Sequence, residues 1–233
     1  MKLIVGNLKM YMSLPDIIKY VEGMDGIYTN VVVCPTSIYV PYFLKRGFKV
    51  GLQNVFYENN GSYTGEISPK QAFELGIDYV ILGHSERRKH FNETNEIINK
   101  KIKKSLENNL KVILCVGEND EEAKPFISNQ LQECLKDINE EVIIAYEPIK
   151  AIGTGVIPTI EYINEIISFI KDKGYNTVLY GGSVDENNAL DILNVCDGLL
   201  IGRAATDVNK FKKIIEIGNN KNWQISILID KTR

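Results

Sequence analysis

The chain has 233 residues, 44% of them apolar and 24% charged, with a net charge of −3 at pH 7 and an isoelectric point near 5.6. That acidic balance speaks against nucleic acid or an anionic membrane as the main partner. The start of the chain lacks the charged and apolar regions of a signal peptide, and no apolar run approaches the ~18 residues of a membrane span, so a soluble, cytoplasmic protein is expected.

Short apolar runs recur at Leu3-Ile4-Val5, Val31-Val32-Val33, Val50-Gly51-Leu52, Tyr79-Val80-Ile81-Leu82, Val112-Ile113-Leu114, Val142-Ile143-Ile144, Val178-Leu179-Tyr180 and Leu199-Leu200-Ile201, with room for one helix between neighbours. Runs without polar alternation suit strands buried on both faces, as in an all-parallel sheet. The pattern predicts an α/β fold, a closed (β/α)8 barrel of eight parallel strands alternating with helices. Without a linker or a shift in composition, residues 1–220 read as one barrel domain. Residues 221–233, with Trp223, Ile225, Ile227 and Ile229, read as a short extra strand or apolar tail of unknown role.

In chain order, the first strand ends in Asn7-Leu8-Lys9, a carboxamide and an ammonium. The third is followed by a long segment, Asn54 to Ile67, of a length that in compact domains is usually functional or disordered. Ser68-Pro69-Lys70-Gln71 then supplies a capping serine, a proline at the first helical position and a capping-box glutamine, with Gly76 past the end. The fourth strand ends in Gly83-His84-Ser85-Glu86-Arg87-Arg88. In the helix after it, Ile98, Ile102 and Leu106 mark a buried stripe, and Lys100, Lys101, Lys103 and Lys104 are expected on the solvated face.

The sixth strand delivers Glu147 in Ala145-Tyr146-Glu147-Pro148 and enters a loop with Gly153-Thr154-Gly155. Thr159 opens a helix with Ile160, Ile163, Ile166, Ile167 and Ile170 on one face, closed by Gly174. The seventh strand ends in Tyr180-Gly181-Gly182-Ser183-Val184 and the eighth in Gly202-Arg203-Ala204. In such a barrel these strand ends share one rim, where polar residues carry chemistry. A carboxylate and an imidazole there can move a proton between carbons next to a carbonyl, and glycine turns offer N–H groups to a phosphate. A dinucleotide-binding fingerprint is a poor fit, because position 158 is proline and Gly153-x-Gly155 follows the sixth strand.

Cys34 and Cys115 follow apolar runs and read as small buried hydrophobes, with reactivity of Cys115 as the alternative. With only two histidines, His84 and His90, and no CxxC pair, no metal site is expected.

Asn7-x-Lys9, Gly83 to Arg88, Cys115-x-Gly117-Glu118, Ala145 to Pro148 with Ala151 to Gly155, and Tyr180 to Val184 together resemble triosephosphate isomerase in order and spacing, over roughly residues 2 to 217. That family is a standard case of a barrel enzyme with a tuned acid and base and a closing lid. The resemblance implies that Glu147 is the base that shuttles a proton between C1 and C2 of dihydroxyacetone phosphate and glyceraldehyde 3-phosphate. It implies that His84, neutral above a helix start, polarises the carbonyl, that Lys9 supplies positive charge, and that Asn7 and Glu86 hold the cluster in place. It also implies a phosphate held on N–H groups of Gly153, Ser183, Gly202 and Arg203, a lid from Pro148 to Gly155, and no cofactor. The segment Gly61-Ser62-Tyr63-Thr64-Gly65-Glu66 resembles the family's interlocking dimer loop, which implies a homodimer. Thr64 would then reach the neighbour's Asn7 and Lys9, and Glu66 would pair with its Arg87.

The sequence departs from the family pattern at three places. Lys150 stands where the family usually has a tryptophan at the first lid hinge. Pro158 stands where an N–H meets the hydroxyl of Tyr180 in the closed state, and Arg203 replaces a glycine. Two other classes remain open on the residues: an isomerase of a longer, four-carbon ketose phosphate, and a non-catalytic phosphate-binding scaffold.

Overall fold

A computed structural model of the chain describes residues 1–24, 30–118, 122–151 and 157–219. The strands β1 (Leu3–Asn7), β2 (Val31–Cys34), β3 (Lys49–Leu52), β4 (Tyr79–Leu82), β5 (Lys111–Val116), β6 (Ile143–Tyr146), β7 (Val178–Tyr180) and β8 (Gly198–Ile201) pair in chain order, and β8 closes on β1. Every pairing is parallel. This is the (β/α)8 barrel that the apolar runs predict.

Each strand is buried twice because its side chains alternate between two apolar layers. Val5, Val32, Ile81, Ile113, Ala145, Leu179 and Leu200 fill the barrel interior. Their neighbours Ile4, Val33, Val80, Leu114, Ile144, Val178 and Leu199 face outward into the layer beneath the helices. Fully burying a side chain of this kind contributes about 1.5–3 kcal/mol, so the strands are held by both layers.

The surrounding helices are α1 (Leu14–Gly23), α2 (Val40–Leu44), α3 (Pro69–Glu74), α4 (Ser85–Phe91), α5 (Asn95–Glu107), α6 (Ala123–Cys134), α7 (Ile160–Asp172), α8 (Ala189–Leu193) and α9 (Val208–Asn219). α3 starts with the predicted reciprocal cap between Ser68 and Gln71, and Pro69 leads its first turn. α7 starts where Thr159 Oγ1 accepts from the Tyr162 N–H, and it buries Ile163, Ile166, Ile167 and Ile170. No helix among the described residues is long and apolar enough to cross a membrane.

Two expectations shift. β6 covers Ile143–Tyr146 rather than Val142–Ile144, so Glu147 follows directly after the last paired residue. On α5, Lys101 is not solvated: it is 4% exposed, beside buried Ile98, Ile102 and Ser105. Its ammonium donates to Glu93 Oε1 at 2.6 Å and to Asn54 Oδ1 at 2.9 Å. Burial lowers the Lys101 pKa while the Glu93 carboxylate opposes that shift. The buried carboxylate is what permits a lysine inside the helix's apolar face.

Candidate active site

The chain leaves β1 at Asn7 and reaches Lys9 in a left-handed backbone conformation, φ 48°. That region is unfavourable for a residue with a Cβ, by about 1–2 kcal/mol, so the surroundings must impose it. Asn7 Oδ1 accepts from the Lys9 N–H at 3.1 Å. The Lys9 carbonyl accepts from Thr36 Oγ1 at 3.0 Å and from Gln53 Nε2 at 2.9 Å. Gln53 Nε2 also donates to the Cys34 carbonyl at 2.9 Å, tying the ends of β1 and β2 together. The Lys9 ammonium then projects to Glu86 Oε1 at 2.6 Å. Partial burial opposes ionisation of Glu86, but the hydrogen bond and the charge of the Lys9 ammonium outweigh it and hold the carboxyl below its ordinary range.

β4 is followed by Gly83, whose φ of 72° turns the chain so that His84 caps α4. Arg88 Nε donates to the Gly83 carbonyl at 2.7 Å and fixes that turn. His84 Nδ1 accepts from the Glu86 N–H at 3.2 Å, which assigns the ring hydrogen to Nε2. Nε2 lies 3.2 Å from Glu147 Oε1, which sets the imidazole beside the carboxylate.

Glu147 is 2% exposed. Its N–H donates to the Val116 carbonyl at 2.8 Å, and its Oε2 accepts from the Ser85 N–H at 3.3 Å. A Cβ on Gly117 would stand 1.8 Å from the Glu147 carbonyl oxygen, so only glycine lets the chain leaving β5 pass this close. Buried Gln130 holds that glycine, its Oε1 accepting from the Gly117 N–H at 2.9 Å. The neighbouring Cys115 is buried, and burial, then the Glu147 charge, push its thiol well above the ordinary value. A protonated, enclosed thiol fits the reading of Cys115 as a small hydrophobe.

Asn7, Lys9, His84 and Glu147 share one cavity of about 480 Å³ with Ser183, Gly202 and Arg203. Arg203 begins a short 3-10 turn, Arg203–Thr206, of the kind whose leading N–H groups suit an anion. Ser183 Oγ donates to the Ala151 carbonyl, linking the turn after β7 to the loop after Glu147. Gly153, with the rest of Gly153-Thr154-Gly155, lies outside the described residues. At the start of that loop the Ile149 N–H donates to the Glu118 carbonyl at 3.0 Å, and Tyr146 Oη donates to Glu118 Oε1 at 3.1 Å. Burial raises the Glu118 pKa.

Thr64 and Glu66 are exposed, away from this cluster. Arg87 Nε donates to Glu93 Oε1 at 2.5 Å within the chain, and the guanidinium lies over Phe91. The structure therefore brings Asn7, Lys9, His84, Glu86, Glu147, Ser183, Gly202 and Arg203 to one rim. It adds Gln53, Ser85, Gln130 and Glu118, to which sequence reasoning assigns no role. The third strand run ends in Gln53 as plainly as the first ends in Asn7, and that is the signal by which Gln53 could be found.

The sequence model of the family described as "Triosephosphate isomerase" matches residues 2–218. The triosephosphate isomerase of Clostridium botulinum (strain Langeland / NCTC 10281 / Type F) is 41% identical over 242 positions, spanning 91% of this chain and 98% of the relative. That of Thermodesulfovibrio yellowstonii is 38% identical over 244 positions, spanning 92% and 98%. That of Malacoplasma penetrans is 39% identical over 248 positions, spanning 94% and 99%.

Proposed function

The chain belongs to the triosephosphate isomerase family, and from that premise we propose how its rim interconverts dihydroxyacetone phosphate and D-glyceraldehyde 3-phosphate. Glu147 takes a proton from the carbon beside the carbonyl, and the electron pair moves onto the carbonyl oxygen as an enediolate. His84 donates its Nε2 hydrogen toward that oxygen. As the hydroxyl hydrogen passes from one enediol oxygen to the other by way of His84, Glu147 returns its proton to the neighbouring carbon, which completes the exchange of aldose and ketose. Lys9 places positive charge where the oxyanion develops, in a cavity that limits screening by water. Asn7 and Glu86 position Lys9, one through its backbone and the other through its ammonium.

The phosphate rests on N–H groups of Gly153, Ser183, Gly202 and Arg203, and the segment from Pro148 to Gly155 closes over it. These steps are proton transfers, so they call for no cofactor. The enzyme works as a cytoplasmic homodimer, with Thr64, Glu66 and Arg87 at the interface. The observation that carries this reading is the His84 Nε2 to Glu147 Oε1 approach of 3.2 Å in the cavity that Lys9 also lines.

Family membership does not favour the four-carbon or the non-catalytic reading. A coupled assay on purified protein with glyceraldehyde 3-phosphate, beside a four-carbon ketose phosphate, is the test. Three-carbon turnover that clearly exceeds four-carbon turnover is expected. Absence of three-carbon turnover would overturn the assignment.

A further inference from the structure

The catalytic cavity has an outer wall, built by the turn after β8 and the start of α9, that carries two cations outside the proton-transfer cluster. Arg203 opens the 3-10 turn, Lys210 lies in the first turn of α9, and both line the cavity that holds His84 and Glu147. Both are exposed, and among the described residues neither the guanidinium nor the ammonium makes a hydrogen bond or an ion pair. Lys9 differs, since its ammonium is 2.6 Å from Glu86.

Two further carboxylates that line the cavity, Asp207 on this wall and Asp185 after β7, are turned to the backbone. Asp207 Oδ1 accepts from the N–H groups of Asn209 and Lys210 at 2.9 and 3.1 Å. Asp185 Oδ1 accepts from those of Asn187 and Asn188 at 2.8 and 3.1 Å. The wall thus presents a planar fork of donors and a compact ammonium to whatever enters, a pairing suited to a phosphate. Size points the same way. The cavity is about 480 Å³, and pockets of roughly 300–1,000 Å³ hold ligands of drug size, so a three-carbon monophosphate leaves the outer part unfilled.

We propose that Arg203 and Lys210 form a second anion subsite at the mouth of the cavity, one that admits a small sugar or polyol carrying a phosphate at each end. One phosphate occupies the N–H groups at Ser183 and Gly202, and the other bridges the guanidinium and the ammonium. A ligand of this class competes with substrate, because both use the inner phosphate position. The inference rests on the phosphate site assigned under the proposed function.

The probes are alkanediol bisphosphates with three, four and five carbons, each compared with the alkyl monophosphate of the same length as an inhibitor of triose phosphate turnover. The wild type should bind the best bisphosphate roughly tenfold or more tightly than its monophosphate, as one or two exposed charge-assisted contacts would give. In Arg203→Gln/Lys210→Gln the advantage should fall to about two, the factor for a ligand that can enter by either end. Arg203→Lys, which keeps the charge and loses the fork, should give an intermediate ratio. A wild-type ratio near two at every length would overturn the proposal, as would a large ratio that survives in the double variant. Equal weakening of both ligands in Arg203→Gln would also overturn it, because the guanidinium would then serve the inner phosphate. Monophosphates that fail to compete in the wild type would remove the inner phosphate site, and the proposal with it, whereas competing monophosphates without a bisphosphate advantage would remove the outer subsite alone.

Discussion

Lys101 illustrates how a single residue can be fixed by its pairing rather than by its polarity. Its ammonium and the Glu93 carboxylate are both buried, and Glu93 also accepts from Arg87. Removing one member leaves a buried charge short of a partner, which typically costs about 3–5 kcal/mol. Lys101→Met should therefore lower the unfolding free energy by an amount of that order in urea denaturation, and pairing it with Glu93→Gln should recover part of the loss. A change below about 1 kcal/mol would mean that Arg87 alone satisfies Glu93. The sequence holds a signal for this burial, because positions 98, 101, 102 and 105 form one helical stripe, but the charge of Lys101 argues for solvent more loudly than its spacing argues for the core. Glu147, His84 and Lys9 are legible because they stand at strand ends, where the fold itself directs side chains to the rim. Gln53 shares that strand-end signal, although its partner, the Lys9 carbonyl 44 residues away, does not show, and Gln130 has no such signal, because it acts on the Gly117 N–H, 13 residues away and brought close only by folding.

At the scale of elements, the strands can be read because a parallel strand buried on both faces leaves a continuous apolar run. The apolar run of β6 stops short of the strand's true end because Ala145 and Tyr146 continue it with a small and an aromatic side chain instead of an aliphatic one. The loop after β6 carries two of the three departures from the family pattern, Lys150 and Pro158. Lys150 is exposed in the short 3-10 turn Ile149–Ala151, and the buried hydroxyl of Tyr180 has no hydrogen-bond partner among the described residues. Pro158 has no N–H to offer that hydroxyl, and one such bond is worth about 0.5–1.5 kcal/mol net. An indole at position 150 would bury apolar area and hold one hinge conformation, whereas a lysine side chain keeps its charged end at the surface. On the lid proposed above, both substitutions should favour the open state, and an enediolate phosphate that meets water can eliminate phosphate to give methylglyoxal. The ratio of methylglyoxal to isomerised product should fall in Lys150→Trp. An equal or higher ratio would show that lysine is tolerated at the hinge without loosening it.

Across the whole molecule, the barrel closes on itself, yet its loops leave apolar side chains in water. Met10 and Tyr11 after β1 are 89% and 61% exposed, and Tyr63 in the loop before α3 is 44% exposed. The neighbouring Thr64 and Glu66 are exposed as well, which suits a surface covered by a second copy. Sedimentation at micromolar concentration should give a dimer, and Thr64→Arg with Glu66→Arg should shift it toward monomer with loss of turnover. A fully active native monomer would contradict that assembly. The central claim is that this barrel isomerises triose phosphates by proton transfer through Glu147, and the most direct measurement is the turnover of Glu147→Gln beside its affinity for a substrate analogue. Glutamine keeps the shape and removes the base, so turnover should fall by ~10²–10⁴ while analogue affinity changes far less. Retention of more than about a tenth of wild-type turnover, too small a loss for a removed general base, would contradict the account.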